Sequence, residues 1–429
     1  MSDVREEYPA AFPVRQLLTA PVVGWALYDF ANTIFSYAVV TRYFNDWITE
    51  QKDAPDWQLG LMLFGVGVAL VVALPVSGAL ADRVGRRMPF LLAFTLLCVA
   101  ATAALGAVEA TVTALLLGGV AIFAFQNGLA HYDPLLADLA PERLRGRVSG
   151  FGAGVGYAGA LIALVALGIA VGEGDNQRAF VPTAALFLLF ALPCFVLVRE
   201  RRREAAAGSV GEVARAALAQ VGATLRRARE YGDVWRFLLA RFLYVDAVGT
   251  IIAFMLVYAG RMGEMSAAAE TALIGLSIVF AGAGALAAGA AVERVGPRRV
   301  LVSVLGLLVA AMLAAALVGG TTVLWLVGPV VGVALGTVAT ADRVFLLRLA
   351  PAVYRGEFFG LATLVGRLSS GIGPLVLWGG TIFVLADLTG AASEAGASRV
   401  AVVVLAAACL AGILVLRRID DRPRAWSAG

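Results

Sequence analysis

Two apolar runs, residues 57–80 and 88–108, are separated only by Asp82-Arg83-Val84-Gly85-Arg86-Arg87 and the small residues before it. The arrangement returns as Glu293-Arg294-Val295-Gly296-Pro297-Arg298-Arg299, again between apolar runs. At about 1.5 Å per residue, each run is long enough to cross a hydrocarbon core of about 30 Å as a helix. A connection this short and this cationic joins two membrane helices on the face where positive charge is retained. The rest of the chain agrees: 60% of its 429 residues are hydrophobic and 15% charged, with a mean hydropathy of +0.86. A soluble domain of this length has too little interior for so much apolar surface. The formal charge of +4 does not indicate nucleic acid as a partner, because the arginines fall in short loops.

Hydropathy and loop charge predict twelve spans, at about 22–48, 57–81, 88–108, 112–139, 148–171, 179–198, 236–260, 268–291, 300–317, 322–349, 357–386 and 398–416. The loop 49–56 is acidic on balance, whereas Pro141–Arg147 and Arg417–Arg422 are basic. That asymmetry predicts both termini on the cytoplasmic side of a bacterial inner membrane. Asp3, Glu6 and Glu7 precede the first span with no small-residue cleavage site, so no signal peptide is expected. The predicted fold is an all-α membrane protein of two six-helix bundles, residues 1–198 and 236–429. Between them, 199–235 forms a cytoplasmic linker with an amphipathic helix on the membrane surface, carrying Val213, Ala217, Leu218, Val221 and Leu225 on one face. An internal repeat relates the bundles: Ala140-Pro141, Arg145-Gly146 and Gly150 recur 210 positions later as Ala350-Pro351, Arg355-Gly356 and Gly360. Such halves enclose a site near the midplane and alternate its access.

The stretch Gly78–Arg87 resembles the G-x-L-A-D-R-x-G-R-R loop between spans 2 and 3 of the major facilitator superfamily. The resemblance implies that spans 1, 4, 7 and 10 line a central cavity and that the protein is a monomer. It also implies that Asp82 meets the start of span 11 while Arg83 and Arg86 clamp the halves when the outer side is open. Ionisable groups inside spans cost about 2.5–3.5 kcal/mol each unless paired or wetted, so they are functional candidates. Here they fall at Asp29, His131, Asp133, Asp138, Arg241, Asp246, Asp342, Arg343 and Arg348, with Arg367 in span 11 an outlier. The 210-residue offset lays Asp133 on Arg343 and Asp138 on Arg348. Opposite charges at pseudo-symmetric positions predict an inner gate of two ion pairs; pairs within one half, such as Arg241 with Asp342, are the alternative. Tyr28, Asn32, Gln126, Asn127, Tyr157, Tyr244 and Trp378 are the substrate-contact candidates, with helix packing the alternative for each aromatic. His131, Asp29 and Asp246 compete as proton carriers. Cys98, Cys194 and Cys409 read as apolar fillers, and the Gly150–Gly159 run as close helix packing. With no nucleophile–base constellation, phosphate loop or metal spacing, neither an enzyme nor a cofactor is expected.

Further motifs resemble one branch of that superfamily, the vacuole effluxers (autophagy-linked amino-acid effluxers) and their bacterial relatives. Trp25-Ala26-Leu27-Tyr28-Asp29-Phe30-Ala31-Asn32 is similar to their W-x-x-Y-D-F-A-N opening, and Phe242-Leu243-Tyr244-Val245-Asp246 to their F-L-Y-N-D start of span 7. Glu357-Phe358-Phe359-Gly360-Leu361 and Gly371-Ile372-Gly373-Pro374-Leu375 are similar to their span 11. Val245, Asp133 and Asp342 depart from that pattern. The resemblance implies an exporter of small polar solutes; the Asp and Arg residues available to the cavity make an amino acid or related zwitterion the expected substrate, with protons as a candidate coupling ion and membrane lipids as surroundings. An exporter of amphiphiles and a non-transporting receptor on the same fold are the rival readings.

Overall fold

The computed structural model describes residues 19–139, 142–172, 174–200, 209–263, 265–318, 320–351 and 354–421. The acidic N-terminal residues, the charged run 201–204 and the side chains of the basic segment 142–147 lie outside that description. Among the described residues there is no strand, and eleven helices are long and apolar enough to cross a membrane. A twelfth rod, span 1, is α-helical over Ala20–Phe35 and Tyr43–Asp46 and π-helical over Ser36–Arg42 and Trp47–Gln51. Helices are the required solution, since hydrocarbon offers a backbone polar group no other partner.

The ten-residue signature proves mostly helical. Span 2 runs over Asp56–Val84 and span 3 over Met88–Leu105, so only Gly85-Arg86-Arg87 turns. Gly85 adopts φ 72°. Its N–H donates to Asp82 O at 3.2 Å and the Arg86 N–H to Ala81 O at 3.2 Å. This pairing closes the helix with a left-handed glycine, which a residue with a Cβ adopts only at a cost. In the second half, span 8 (Ala267–Val295) and span 9 (Pro297–Val318) are separated by Gly296 alone, at φ 88°. Glu200 accepts the backbone N–H groups of Arg87 and of Met88 (2.9 Å for Met88), placing a carboxylate at the positive end of span 3.

Span 4 is α-helical over Thr111–Tyr132, tightens to a 3-10 turn at Asp133–Leu135, where Pro134 supplies no N–H, and ends at Leu139. The basic segment read as a loop is instead the start of span 5, Glu142–Val171. Part of its glycine run packs closely: a Cβ on Gly152 would meet Trp25 and one on Gly159 would meet Phe30, whereas one on Gly154 would meet nothing within 4 Å. Span 6 is Phe180–Leu197; spans 7, 10 and 12 are Gly232–Met262, Leu324–Leu349 and Glu394–Leu416. Span 11 starts at Arg355 and becomes π-helical at Gly373–Gly379 and Phe383–Leu388.

The linker helix, Val210–Glu230, begins with a capping box between Ser209 and Glu212. Its apolar face turns toward protein as well as away from it. Thr224 and Ala228 are buried, and Ala217 and Val221 look into the opening between spans 2 and 11, while Leu218 stays exposed. Thr224 donates to Glu357 at 3.0 Å, Arg227 forms an ion pair with the same carboxylate, and its guanidinium lies 4.5 Å from the Tyr354 ring centroid. These polar anchors hold the helix against span 11, which lipid contact alone does not provide.

Candidate functional site

Spans 2 and 11 form a V. Toward the end where span 2 begins they touch closely: a Cβ on Gly60 would meet the Pro374–Leu375 backbone, and one on Gly371 would meet the Leu63–Phe64 backbone. Toward the signature-turn end they part, and nothing lies within 4 Å of a Cβ built on Gly78 or Gly360. The space between holds a cavity of about 680 Å³, lined by Leu74, Pro75, Gly78, Asp133, Phe359 and Leu364 among others. A second cavity of about 540 Å³ shares Asp133, Phe359 and Thr363 with it and extends to Arg241, Asp342 and Arg343. Together they make one chamber that opens at the signature-turn end.

Charged side chains in this chamber sort into two kinds. Arg241 donates from Nε to Asp342 at 3.1 Å and from Nη1 to the Ala362 carbonyl at 2.6 Å, while Tyr244 donates to the other Asp342 oxygen at 2.5 Å. This cluster stays within the C-terminal half and leaves Asp342 satisfied. Asp133 and Arg343 are exposed to the chamber from opposite halves. Among the described residues neither forms an ion pair. The predicted Asp133–Arg343 pair is therefore apart here, because the spans that carry it are apart. Arg348 does not turn to Asp138 but lies 3.6 Å from Asp421 in the C-terminal segment. Burial raises the Asp421 carboxyl above its ordinary range, with Arg348 acting against that shift.

The opposite end is shut by polar contacts across the halves. Arg42 of span 1 donates to Glu270 of span 8 at 2.5 Å. Arg261 of span 7 grips both oxygens of Asp56, the first residue of span 2, at 2.7 and 2.9 Å. Trp378 Nε1 donates to Asp56 at 2.6 Å, and Asn45 Nδ2 to the Ala253 carbonyl at 2.7 Å. Both acids sit in the first turns of their helices, where the backbone dipole favours them. The two ion pairs are reciprocal: each arginine reaches from the first span of one half to the second span of the other.

The profile described as Major Facilitator Superfamily matches residues 22–374. The chain belongs to the major facilitator superfamily. It is 27% identical over 421 residues to the uncharacterized MFS-type transporter YxiO of Bacillus subtilis (strain 168), covering 93% of this chain and 94% of that protein. It is 24% identical over 370 residues to an uncharacterized protein of Aquifex aeolicus (strain VF5), covering 85% and 90%. Among solved structures it resembles the nucleoside transporter NupG (TM-score 0.71, 13% identity, 93% and 98% covered). It also resembles a bacterial homologue of the human lysosomal transporter Spinster in an inward-facing, occupied conformation (TM-score 0.69, 16% identity, 98% and 100% covered). At these identities the likeness is one of fold. A major facilitator protein sealed at one end and open at the other is in one state of an alternating-access cycle.

In this superfamily frame the remaining predicted residues are spread over several places. Tyr28 and Asn127 leave the cavity wall for the packed N-terminal half. Tyr28 bonds Thr95 at 2.7 Å and stacks on Tyr132, and Asn127 donates to Phe123 O at 3.0 Å and lies 3.3 Å from Ser77 Oγ. Amides and phenols in a membrane need partners, and here the protein provides them. Tyr244 and Trp378 serve the Asp342 cluster and the sealed end. Tyr157 is exposed, beside a smaller pocket with Thr33, Ser36 and Tyr37, whereas Asn32 is buried with neither amide atom bonded and Gln126 keeps a buried, unbonded Oε1. Of the proton candidates, His131 is fully buried between Phe90 and Phe94, with ring centroids at 5.3 and 5.9 Å and neither nitrogen bonded. Asp246 accepts the Gly373 N–H at 2.8 Å, where span 11 turns π-helical. Asp29 is half-buried beside Gly156 and Thr33. At the signature turn, Asp82 bonds Arg87 at 2.7 Å rather than span 11, and Arg86 is exposed; with the halves parted at this end, neither meets span 11.

Sequence reasoning missed the sealing residues Arg42, Glu270, Asp56 and Arg261. A signal existed for Arg42, an arginine within the first apolar span, and for Glu270 early in span 8. Their partners obey no repeat offset, so the sequence does not say which acid each arginine meets.

Proposed function

We propose that this protein is a secondary active transporter that exports a small zwitterionic solute, an amino acid or a close relative, across a bacterial inner membrane with both termini cytoplasmic. The observation that carries the reading is Asp133 and Arg343, unpaired and exposed in one chamber from opposite halves. An acid and a base held apart offer a zwitterion a partner for each of its charges, and can meet once the chamber closes around or without it. The vacuole-effluxer motifs quoted above support export of a small polar solute. Proton coupling is assigned to Asp29, whose carboxylate makes no hydrogen bond among the described residues and lies within electrostatic reach of Asp133. The residue division into bundles 1–198 and 236–429, joined by 199–235, belongs to the same proposal.

The test is flux in proteoliposomes against a panel of amino acids, dipeptides, lysolipids and cationic dyes. Saturable counterflow of an amino acid, abolished in Asp133→Asn and in Arg343→Gln, supports the reading; absence of any flux favours a receptor. One observation favours amphiphiles as a second reading: the lobe between spans 2 and 11 is walled by Leu74, Pro75, Val221, Phe359, Leu361 and Leu364. Flux confined to lysolipids and dyes would establish that alternative.

A further inference from the structure

Arg367 is a charge in the middle of a membrane helix that neither closure of the molecule uses. Phe359, Thr363 and Arg367 stand four residues apart on span 11, hence on one helical face, and Phe359 and Thr363 both line the chamber. That face carries Arg367 one turn deeper than Thr363. Its side chain makes no hydrogen bond and no ion pair within 4.0 Å among the described residues. The ionisable groups that act on it are Asp133 and Arg241. Arg241 is already committed to Asp342 and Ala362. Arg343, by contrast, is exposed in the same chamber and equally without a partner. Arg343 thus lines the chamber opposite Asp133, and Arg367 stands one turn deeper on the span 11 face that Phe359 and Thr363 present to it, with Asp133 within electrostatic reach.

We infer that Arg343 and Arg367 form an anion subsite that takes the carboxylate of the transported solute, while Asp133 takes its cationic group; the assignment rests on the transport reading above. The charge balance decides the polarity. With the Arg241–Asp342, Asp82–Arg87 and Glu357–Arg227 pairs cancelling and Asp29 assigned to the proton, Asp133 is left against Arg343 and, one turn deeper on span 11, Arg367. A simple cation meets more repulsion than attraction, and a simple anion leaves Asp133 uncompensated. A zwitterion satisfies both, with its carboxylate bound by two planar forks that match carboxylate geometry better than ammonium groups do. The solute enters oriented, carboxylate toward spans 10 and 11 and ammonium toward span 4.

Two measurements on the full-length purified protein test this. The first needs no substrate. Thr363→Cys places a thiol in the chamber, and the native Cys98, Cys194 and Cys409 are buried. Its rate of modification by anionic sulfonatoethyl methanethiosulfonate is compared with that by the cationic trimethylammonioethyl reagent. The ratio is expected to fall severalfold on adding Arg367→Gln or Arg343→Gln, and to be kept by Arg367→Lys. The second is binding of L-leucine, leucinamide and N-acetyl-leucine, or the same three forms of whichever amino acid the panel identifies. Arg367→Gln is expected to weaken the two carboxylate-bearing probes by about tenfold or more and to spare the amide; Asp133→Asn is expected to weaken L-leucine and leucinamide, which carry the ammonium, and to spare N-acetyl-leucine. A reagent ratio unchanged by Arg367→Gln overturns the inference even if amino acids bind. A ratio that falls while no amino acid binds supports the anion subsite and refutes the amino-acid reading instead.

Discussion

Asp56→Asn isolates the charge in the sealed end while leaving the rest of it in place. The Asp56 side chain is 1% exposed and receives two bonds from Arg261 and one from Trp378. Asparagine keeps an acceptor for Trp378 and removes the charge. Breaking a buried ion pair by losing one partner costs about 3–5 kcal/mol when the other is stranded. Arg261 is not fully stranded, because its Nε lies 3.2 Å from both Glu50 and Glu394, and those acids are exposed enough to give only part of the lost attraction. A net cost of about 2 kcal/mol to the sealed form follows, a shift of about thirtyfold toward opening at that end. The assay is the distance between spin labels on Ala110→Cys and Thr322→Cys, exposed positions near that end in opposite halves, read by pulsed electron resonance. A longer-distance population is expected in Asp56→Asn, and the exchange Asp56→Arg with Arg261→Asp is expected to recover much of the short one. A distance distribution identical to wild type, or a double exchange no better than either single change, refutes the closure argument.

Trp378→Phe should move the same distance in the same direction by less, about 1–2 kcal/mol, since the stack on Phe254 at 4.9 Å survives and only the bond to Asp56 goes. Glu357→Gln removes the charge partner of Arg227; because both side chains are about a third exposed, the linker helix should loosen by no more than about 1 kcal/mol, read as less than tenfold faster hydrogen exchange over 220–230. The first turn of that helix should also respond to acid. Bonds from the Ser209 backbone N–H and hydroxyl hold the Glu212 carboxyl below its ordinary 4.5, so this support is complete above the ordinary value and is lost as pH falls through the lowered one. A spin label on Gly211→Cys should gain mobility only in that acid window, and one on Arg226→Cys should not.

Much of the fold was legible because lipid leaves few choices. Span number, the signature turn and the offset that lays Asp133 on Arg343 all come from period, charge and repetition. What the sequence could not carry was the partner of each polar group. Tyr28, Asn127 and Tyr244 read as substrate-contact candidates, but whether a polar group's partner is a solute or Thr95, Ser77 or Asp342 depends on side-chain placement across three helices. The inner pair could be predicted and still be apart, because the chamber is open at the end where both residues lie. The ion pairs of the sealed end escaped for a related reason: Arg42 and Glu270, or Asp56 and Arg261, are related by no offset within a half. The helical start of span 5 was hidden because a basic composition signals membrane side, not backbone conformation.

The glycine joints have a mechanical consequence. Three residues connect spans 2 and 3, and Gly296 alone connects spans 8 and 9. Joints this short allow almost no sliding, so each hairpin moves as a single strut. Span 2 forms half of the V, and any tilt that closes the chamber against span 11 has to carry span 3 with it. Span 3 in turn is pinned at its start by Glu200, at the head of the tether between the bundles. Lengthening the joint by inserting Gly-Ser after Gly85 should therefore leave folding and solute binding nearly intact while slowing transport, because the strut would lose its stiffness before it lost its shape.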